Sequence, residues 1–439
     1  MRGRVLTTGT LDKSGLGLVE SRNEETFMKV LHVLNHSVPH MDGYCVRSEN
    51  IVQFQKKMGW DPVVVTSPHQ EPIPSDSVET IQGIRYYRVV PHRRRRFPIA
   101  HEIVAMHRLQ NRILEVASIE RPALVHAHSP STWGAAGWLA ARRLNLPFVY
   151  EVRGLWQGQI DQRHVAMRHR LGRRLESSIL RRSVVATISD GLRTDIIERG
   201  AHSDRVFAVP NGVDLDGFRP RAGDAELLRD LDIAHSFRMG YIGSLYDFEG
   251  IDDLVRAMSI IREHVSNARL FVLGAGPREK RIRELVDELG LSDVVQLVGR
   301  VPHSDVTRYY SIMDMLVYPR KRNRTTDAVT PLKPLEAMAM AKAIVASDVG
   351  GLRELLGDQC CKFFKAGDIN DLAEQCIRLA TSPDLCVRLG ENARQHVVRT
   401  RDWAQLIEYY KWVYDAARVE FTSRKYRHAL SCGSVNGIG

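Results

Sequence analysis

Hydrophobic and polar positions follow a repeating order along the chain. From residue 28 onward, short apolar runs such as Val30–Leu34 and Val63–Thr66 are each followed by a longer stretch with helical spacing. Such runs predict buried parallel strands that alternate with helices. A second series of the same kind starts at Phe237 with the strand Met239–Gly243. The pattern therefore predicts an α/β fold with two parallel sheets.

The same pattern predicts the domain organisation. Residues 1–27 are rich in Gly, Thr and charged residues without any period, so we expect a disordered extension. Residues 28–220 are predicted to form the first domain and residues 221–399 the second. Helices from about 400 to 424 follow, and residues 425–439 are expected to form a disordered tail.

Composition and charge narrow the partners. The chain is 44% apolar and 26% charged, as in an ordinary soluble protein, with a net charge of +10. This charge favours acidic partners such as sugar nucleotides, anionic lipid or nucleic acid. Aromatic residues make up only 7% and do not interleave with a basic stripe, so nucleic acid is the weakest of the three and is not expected to bind.

Cysteine spacing and hydropathy predict the compartment. The six cysteines show no CxxC spacing, which predicts free thiols in a reducing cytoplasm and no metal site. The first 27 residues lack the apolar segment of a signal peptide. The uncharged stretch 123–141 contains histidine and proline, so it is a poor transmembrane span.

The stretch from Asp327 to Gly351 carries the clearest candidate chemistry. Pro334 suits the first turn of a helix, which places Lys333 and Glu336 beside free backbone N–H groups that attract anions. Lys333 adds a charge suited to phosphate, and Glu336 is able to accept two hydrogen bonds from a sugar diol. A nucleotide-sugar site and a capped core helix with a surface Lys and Glu are both consistent with these residues.

Polar residues also follow the strands of the first domain. His126 and His128 share one face of a strand near its carboxyl end, and Arg153 follows the next strand. Gly43 lets the backbone approach a ligand, and Arg47 lies in the first turn of a helix predicted from Val46. Ligands bind at the carboxyl ends of parallel strands, so these residues predict a site. The alternative is a pair of core histidines.

Two basic segments lie in the first domain. Arg93–Arg96 precedes an amphipathic helix predicted from Ile99 to Ile119, and a second basic helix runs through Arg168–Arg182. Such segments can dock on an anionic membrane surface. The alternative is that both are solvated faces.

Six motifs, in order, resemble those of the retaining glycosyltransferases of family 4. They are VVATIS, VPNGVDLDGF, GYIGSLYDFEGIDDLVRA, LFVLGAGP, VGRVPHSDV and PLKPLEAMAMAKAIVASDVGGLREL. The resemblance runs from about Met28 to Tyr414. Three further segments, GYCVRSENI, YEVRGLW and VTPLKPLEAM, resemble the glycosyltransferases of exosortase and PEP-CTERM exopolysaccharide systems.

This resemblance implies the GT-B fold, with two Rossmann-like domains facing each other across a cleft and final helices that cross back to the first domain. It implies a retaining enzyme that moves a sugar from a nucleoside diphosphate sugar to a glycan or polyprenyl-linked acceptor in exopolysaccharide biosynthesis. No cofactor or metal is expected. The implied location is the cytoplasm, at the inner face of the membrane. The alternative is an inactive sugar-nucleotide-binding scaffold.

The resemblance also implies roles for single residues. Glu336 matches the acid that binds the ribose hydroxyls, and Gly43 matches the glycine loop near the diphosphate. Either His128 or His126 matches the histidine near the reacting sugar, and His128 is favoured because it is closer to the strand end. The remaining residues expected to contact substrate are Arg47, Arg153, Gly243, Ser244, Gly276, Arg300, Pro334 and Leu335.

Three positions depart from the family pattern. Ala328 stands where the first acid of the Glu-x7-Glu motif is expected, and the neighbouring Asp327 is the candidate replacement. Ser244 and Glu249 stand where the family has its diphosphate-binding Arg and Lys. We therefore expect Lys333 to bind the diphosphate, with Arg320 and Arg324 as the next candidates.

Overall fold

The computed structural model of the chain describes residues 28–40, 42–71, 73, 76–90, 98–155 and 165–433. The predicted N-terminal extension, the run Arg93–Arg96 and residues 434–439 lie outside these ranges. No helix among the described residues is both long and apolar enough to cross a membrane.

The first sheet has eight strands in the order β3-β4-β2-β1-β5-β6-β7-β8. They are β1 Lys29–Leu34, β2 Asp61–Thr66, β3 Val78–Ile81, β4 Ile84–Arg88, β5 Leu124–His128, β6 Phe148–Val152, β7 Val184–Thr187 and β8 Val206–Ala208. All neighbours pair in parallel except β3 and β4, which form an antiparallel hairpin. Gln82 and Gly83 in its two-residue turn both have positive φ, as a turn that matches the strand twist requires.

Helices cover this sheet and connect its strands. They are α1 Gly43–Lys57, α2 Pro98–Glu120, α3 Ser131–Leu144, α4 Val165–Leu180 and α5 Asp190–Glu198. Helix α1 begins at Gly43, before the predicted start at Val46. The reason is a cap: the Asp42 carboxylate accepts a hydrogen bond from the Cys45 backbone N–H at 2.9 Å.

The second sheet has six strands, all parallel, in the order β11-β10-β9-β12-β13-β14. They are β9 Phe237–Ile242, β10 Ala268–Leu273, β11 Val295–Gly299, β12 Met315–Tyr318, β13 Ala343–Ser347 and β14 Lys362–Phe364. Its helices are α6 Ala225–Asp230, α7 Ile251–His264, α8 Glu279–Glu288, α9 His303–Ile312, α10 Arg324–Ala328, α11 Lys333–Ala339, α12 Gly350–Leu355, α13 Ile369–Ala380 and α14 Pro383–Thr400. The second α/β series thus begins at Phe237, as the sequence predicts.

Each sheet has its own apolar core. Val213 and Phe218 pack into the core of the second sheet, a few residues before the predicted boundary at 220. The segment leaves the first sheet after β8 and reaches the second core at once. The chain therefore changes domain nearer to Gly212.

The last two helices, α15 Trp403–Leu406 and α16 Tyr409–Gly433, return to the first sheet. Trp403, Tyr410 and Tyr414 are buried in one cluster with residues of β1, β5, β6 and β7. This confirms the predicted crossing. The predicted disorder from 425 is wrong up to Gly433, because no Gly or Pro interrupts the helical sequence before that residue.

Candidate active site

The carboxyl ends of the two sheets meet across a cleft. Ser189, just after β7, donates a hydrogen bond to the Ala328 carbonyl at 2.6 Å, and Asn211 donates one to the Thr330 carbonyl at 2.8 Å. A methyl group on Gly43 would lie 3.7 Å from Leu332 Cδ1. The start of α1 therefore faces the start of α11, as the predicted GT-B arrangement requires.

Lys333 lies over the loop that follows β9. Gly243 has φ +153°, and a Cβ at this position would collide with the Lys333 side chain, so only glycine fits. The Lys333 ammonium donates to the Tyr241 hydroxyl at 2.6 Å and pairs with the Glu249 carboxylate at 2.8 Å. The lysine is thus held against one strand and one loop of the second domain.

Glu249 is the feature that the sequence did not predict. Its carboxylate is buried, and it lies 3.6 Å from Arg320 Nε as well as next to Lys333. Burial opposes its ionisation, but Lys333 and Arg320 hold the pKa of Glu249 below its usual value. Glu249, which stands where the family has a basic residue, is therefore the ion-pair partner of Lys333. The cluster of Lys333, Arg320 and Glu249 carries one net positive charge.

Glu336 lies in the first turn of α11, as predicted. Its Oε2 accepts a hydrogen bond from the Tyr310 hydroxyl at 2.9 Å. Among the described residues, Tyr310 is the hydrogen-bond partner found for this carboxylate, so Oε1 is available to a ligand. Burial raises the pKa of Glu336 to about 7, although the bond from Tyr310 and the charge of Lys333 oppose the shift.

Helix α11 spans only Lys333–Ala339, so its dipole is small and the Lys333 charge carries most of the attraction for an anion. Pro334 lies in its first turn, as predicted, but Leu335 is fully buried in the core. Burial removes the Leu335 side chain from any contact with substrate. Pro334 and Leu335 position the helix.

The glycine-rich loops after β9 and β10 pack against each other. A Cβ on Gly276 would lie 2.6 Å from the Leu245 carbonyl oxygen, and the Tyr241 hydroxyl donates to the Ser244 carbonyl at 2.8 Å. Gly276 and Ser244 therefore shape the cleft through their backbones. Arg300 is exposed just after β11, the edge strand of the second sheet, and its contact with substrate stays a prediction.

Arg324 and Asp327 make contacts that the sequence did not predict. Arg324 pairs with Asp195 of helix α5 and so links the two domains. Asp327 Oδ1 accepts hydrogen bonds from the Gly350 backbone N–H at 2.8 Å and from Arg322 at 3.1 Å. Oδ1 of this carboxylate holds the start of α12, and the contact of Asp327 with the donor sugar stays a prediction.

His126 and His128 share one face of β5, with ring centroids 4.1 Å apart, but both are fully buried. His128 bonds His32 at 3.0 Å and Arg153 at 2.6 Å through its two ring nitrogens, while His126 bonds the Tyr414 hydroxyl at 2.9 Å. Burial lowers the pKa of both rings, so they are neutral. The core-histidine alternative is the one that the structure supports, and direct contact with the reacting sugar is not.

Arg47 is also structural. Only 2% of its side chain is exposed, and it donates to Glu151 at 2.9 Å and to the Val209 and Pro210 carbonyls at 2.8 and 3.1 Å. Further bonds reach Asn211 and Tyr410. Burial opposes ionisation, but Arg47 and Arg153 hold the pKa of Glu151 well below its usual value. Arg47 therefore connects α1 to the interdomain segment and to α16.

Arg153 also pairs with Glu151, at 2.7 Å, and donates to the Tyr44 carbonyl at 3.0 Å and to Ser48 Oγ at 2.7 Å. It remains partly exposed at the carboxyl end of β6. Its predicted position at the strand end is thus observed, but its main contacts hold α1 against the sheet.

Two groups of described residues have ligand atoms close enough to hold a metal ion: His32 with His126 and His128, and His36 with Asp42 and Cys45. In the first group the guanidinium of Arg153 contacts a ring nitrogen, which disfavours a second cation. In the second, Asp42 already accepts bonds from His36 and Cys45. Neither donor set therefore argues for a resident metal.

Sequence reasoning missed three tyrosines of the second domain. Tyr241 bonds the Lys333 ammonium, Tyr310 bonds the Glu336 carboxylate, and Tyr318 donates to the Lys333 carbonyl at 3.1 Å. All three belong to apolar stretches, which the sequence presents as core. Burial of a tyrosine requires a hydrogen-bond partner, and that requirement was the available signal.

Comparisons with known proteins agree with this arrangement. The family model "Glycosyltransferase Family 4" matches residues 45–216, and "Glycosyl transferases group 1" matches residues 231–396. The MMP alpha-(1->4)-mannosyltransferase of Mycolicibacterium hassiacum is 26% identical over 342 residues, which are 76% of this chain and 74% of that protein. The D-inositol 3-phosphate glycosyltransferase of Thermomonospora curvata is 28% identical over 323 residues, with coverage of 67% and 72%.

Solved structures show the same fold. The sucrose-phosphate synthase of Thermosynechococcus elongatus superposes with a TM-score of 0.74 at 21% identity, over 89% of this chain and 99% of that one. HepE of Anabaena in complex with UDP-glucose superposes with a TM-score of 0.69 at 16% identity, over 89% and 100%. The two family matches, the two facing sheets and the returning helices together show that the chain belongs to the family 4-like glycosyltransferases of the GT-B fold.

Proposed function

We propose that the protein is a retaining glycosyltransferase that moves a sugar from a nucleoside diphosphate sugar to a glycan or lipid-linked acceptor in exopolysaccharide biosynthesis. The observation that carries the proposal is the pair of Lys333 and Glu336 at the start of α11, in the cleft between the domains. A cation for the diphosphate and a carboxylate for the ribose lie one helical turn apart. HepE of Anabaena has been solved in complex with UDP-glucose, which supports a donor of this class.

The chemistry assigned to this site has three parts. Glu336 accepts the ribose hydroxyls, and the ammonium of Lys333 stabilises the charge that develops on the leaving diphosphate. The bond between the anomeric carbon and the phosphate oxygen breaks. The acceptor oxygen forms its bond to the anomeric carbon on the same face of the sugar. The acceptor proton passes to the leaving phosphate, so the reaction requires no enzyme nucleophile. We propose no resident cofactor or metal for these steps.

The test is donor-dependent release of free nucleoside diphosphate. The chain is incubated with each member of a panel of UDP-, GDP- and ADP-sugars, with and without a membrane lipid extract as the acceptor source. The proposal expects one donor to release its diphosphate faster with the extract, and NMR of the product to show the donor's anomeric configuration. Inverted product would contradict retention.

The inactive scaffold is the second candidate, and Glu249 is the observation that favours it. A buried carboxylate beside the proposed phosphate site repels a diphosphate unless the charges of Lys333 and Arg320 outweigh it. Binding of a donor without any release of diphosphate under the same conditions would support the scaffold.

The pKa of Glu336 predicts a pH dependence of nucleoside binding. The carboxylate, and not the protonated acid, accepts both ribose hydroxyls, and its pKa of about 7 lies in the measurable range. Affinity should therefore rise as the pH increases through 7, by about tenfold between pH 6 and pH 8 if only the ionised form binds. Titration with the nucleoside measures this dependence, because a nucleoside has no phosphate group that ionises between pH 6 and pH 8.

Glu336→Gln is the matched control, because it keeps the size of the side chain and removes its ionisation. We expect this variant to bind the nucleoside about tenfold more weakly at pH 8 and without the pH dependence. A wild-type profile that is flat from pH 6 to pH 8, or a variant that retains the slope, would show that Glu336 does not contact the ribose.

We further propose that the enzyme works at the cytoplasmic face of the membrane, held by its basic segments. Each basic residue near an anionic surface contributes about 1 kcal/mol, and salt screens this attraction. The chain should sediment with anionic vesicles at low salt and be released at high salt. Charge reversal of Arg93–Arg96 should also release it, while transfer to a short soluble acceptor continues. Failure to sediment at low salt would contradict the proposal.

A further inference from the structure

An apolar groove lies between helices α2 and α4 of the first domain. Ile103 and Met106 of α2 and Leu171 and Leu175 of α4 form its walls, and Trp133 of α3 also lines it. We call it the α2–α4 groove. Its volume is about 320 Å³, within the range of small-molecule sites. It is separate from Lys333 and Glu336, which belong to the other domain.

The groove is open and its apolar walls face solvent. Ile103 and Leu171 are each 55% exposed and Leu175 is 37% exposed. Leu171 and Leu175 are four residues apart on α4 and so share one helix face. The polar atom of Trp133 is already satisfied, since its indole N–H donates to Asn35 at 2.7 Å. A clustered apolar surface of this kind marks a binding site.

The position of the groove relates it to the acceptor half of the cleft. Asn35 follows β1, His69 follows β2 and Pro130 follows β5, and all three line the groove. All three residues lie at the carboxyl ends of strands, on the side of the domain that faces the second domain. A molecule that lies in the groove therefore has one end directed towards the cleft.

Charge identifies the occupant. Arg170 and Arg174 are exposed on α4 and each comes one residue before a leucine of the groove wall, so their guanidinium groups lie beside the groove and outside its lining. A hydrocarbon chain with an attached phosphate fits this combination, because the chain buries the leucines and the phosphate pairs with the guanidinium groups. Glu102 is the acidic residue among those lining the groove. An apolar protein segment would leave the arginines without a partner.

We infer that the α2–α4 groove binds the hydrocarbon chain of a lipid-linked acceptor, with the lipid phosphate on the arginines of α4. The inference rests on the proposed function and deepens it, since it selects a lipid-linked acceptor over a free glycan. The sugar end of such an acceptor then extends to the cleft. Specificity for the lipid resides in a surface distant from the donor.

The test uses farnesyl phosphate as the probe and the full chain without any donor. We expect titration calorimetry to show binding of farnesyl phosphate, and binding of inorganic phosphate at least tenfold weaker. The double variant Ile103→Asn/Leu171→Asn should bind farnesyl phosphate at least tenfold more weakly. Val387→Asn is the matched control, because Val387 is 60% exposed on α14 of the other domain. It should bind as the unmodified chain does.

Three results would overturn the inference. They are no binding of farnesyl phosphate, equal binding of inorganic phosphate, and unchanged binding in the double variant. In the first case, loss of vesicle binding by the double variant would assign the groove to a membrane surface instead. Nucleoside diphosphate binding is measured on the same samples. If it persists while the probe does not bind, the groove inference fails and the proposed function stands.

Discussion

Replacement of Lys333 by alanine is expected to lower kcat/KM for glycosyl transfer by about 10²- to 10³-fold, the usual cost of removing one group that stabilises a developing charge. The variant loses the ammonium that faces the leaving diphosphate. The Glu249 carboxylate, which pairs with the Lys333 ammonium at 2.8 Å in the unmodified chain, also loses that partner. It then lies next to the phosphate and repels it. Both effects act in the same direction, which makes this the largest expected change in activity.

The double variant Lys333→Ala/Glu249→Ala separates the two effects. Because it removes the repelling carboxylate together with its partner, it should recover part of the lost activity relative to Lys333→Ala. Binding supplies the second readout: Lys333→Ala should weaken the nucleoside diphosphate much more than the nucleoside. Equal losses for the two ligands would show that Lys333 does not contact the phosphates.

Arg47→Ala is expected to give the largest loss of stability. The guanidinium is buried with Glu151, two carbonyls, Asn211 and Tyr410 as partners, and its removal leaves a buried carboxylate with one cation fewer. Breaking a buried pair in this way costs about 3–5 kcal/mol in the free energy of unfolding. Thermal unfolding should show a decrease in Tm of about 10 °C.

Arg108→Ala is the matched control for Arg47, since Arg108 is exposed on α2 of the same domain. Exposed substitutions usually change the free energy of unfolding by less than about 0.5 kcal/mol. A Tm for Arg47→Ala within 2 °C of that control, combined with a specific loss of donor binding, would restore Arg47 to the substrate site predicted from the sequence.

The fold was predictable because each strand and helix has its own local signal. The apolar runs Val30–Leu34 and Val63–Thr66 lie in neighbouring parallel strands of the first sheet, as expected. Pro334 marks the start of α11, because proline suits the first turn of a helix. The end of α16 was misplaced, since composition suggested disorder where the helical sequence continues to Gly433.

The roles of buried polar residues were not predictable in this way. His126 and Arg47 are partnered by Tyr414 and Tyr410, which come from a helix at the other end of the chain. Similarly, Glu249 is far from Lys333 in sequence, and their pairing depends on how β9 and α11 pack. A single sequence shows residue types at strand ends, but not which of them are already satisfied by distant segments.

The central claim is that the donor binds at the start of α11, with its ribose on Glu336 and its diphosphate on Lys333. The measurement is titration of UDP, GDP and ADP, and then of the matching nucleoside, against the unmodified chain, Glu336→Gln and Lys333→Ala. We expect that one diphosphate binds, that Glu336→Gln weakens the diphosphate and the nucleoside alike, and that Lys333→Ala weakens the diphosphate much more than the nucleoside. Unchanged affinities in both variants would contradict the claim.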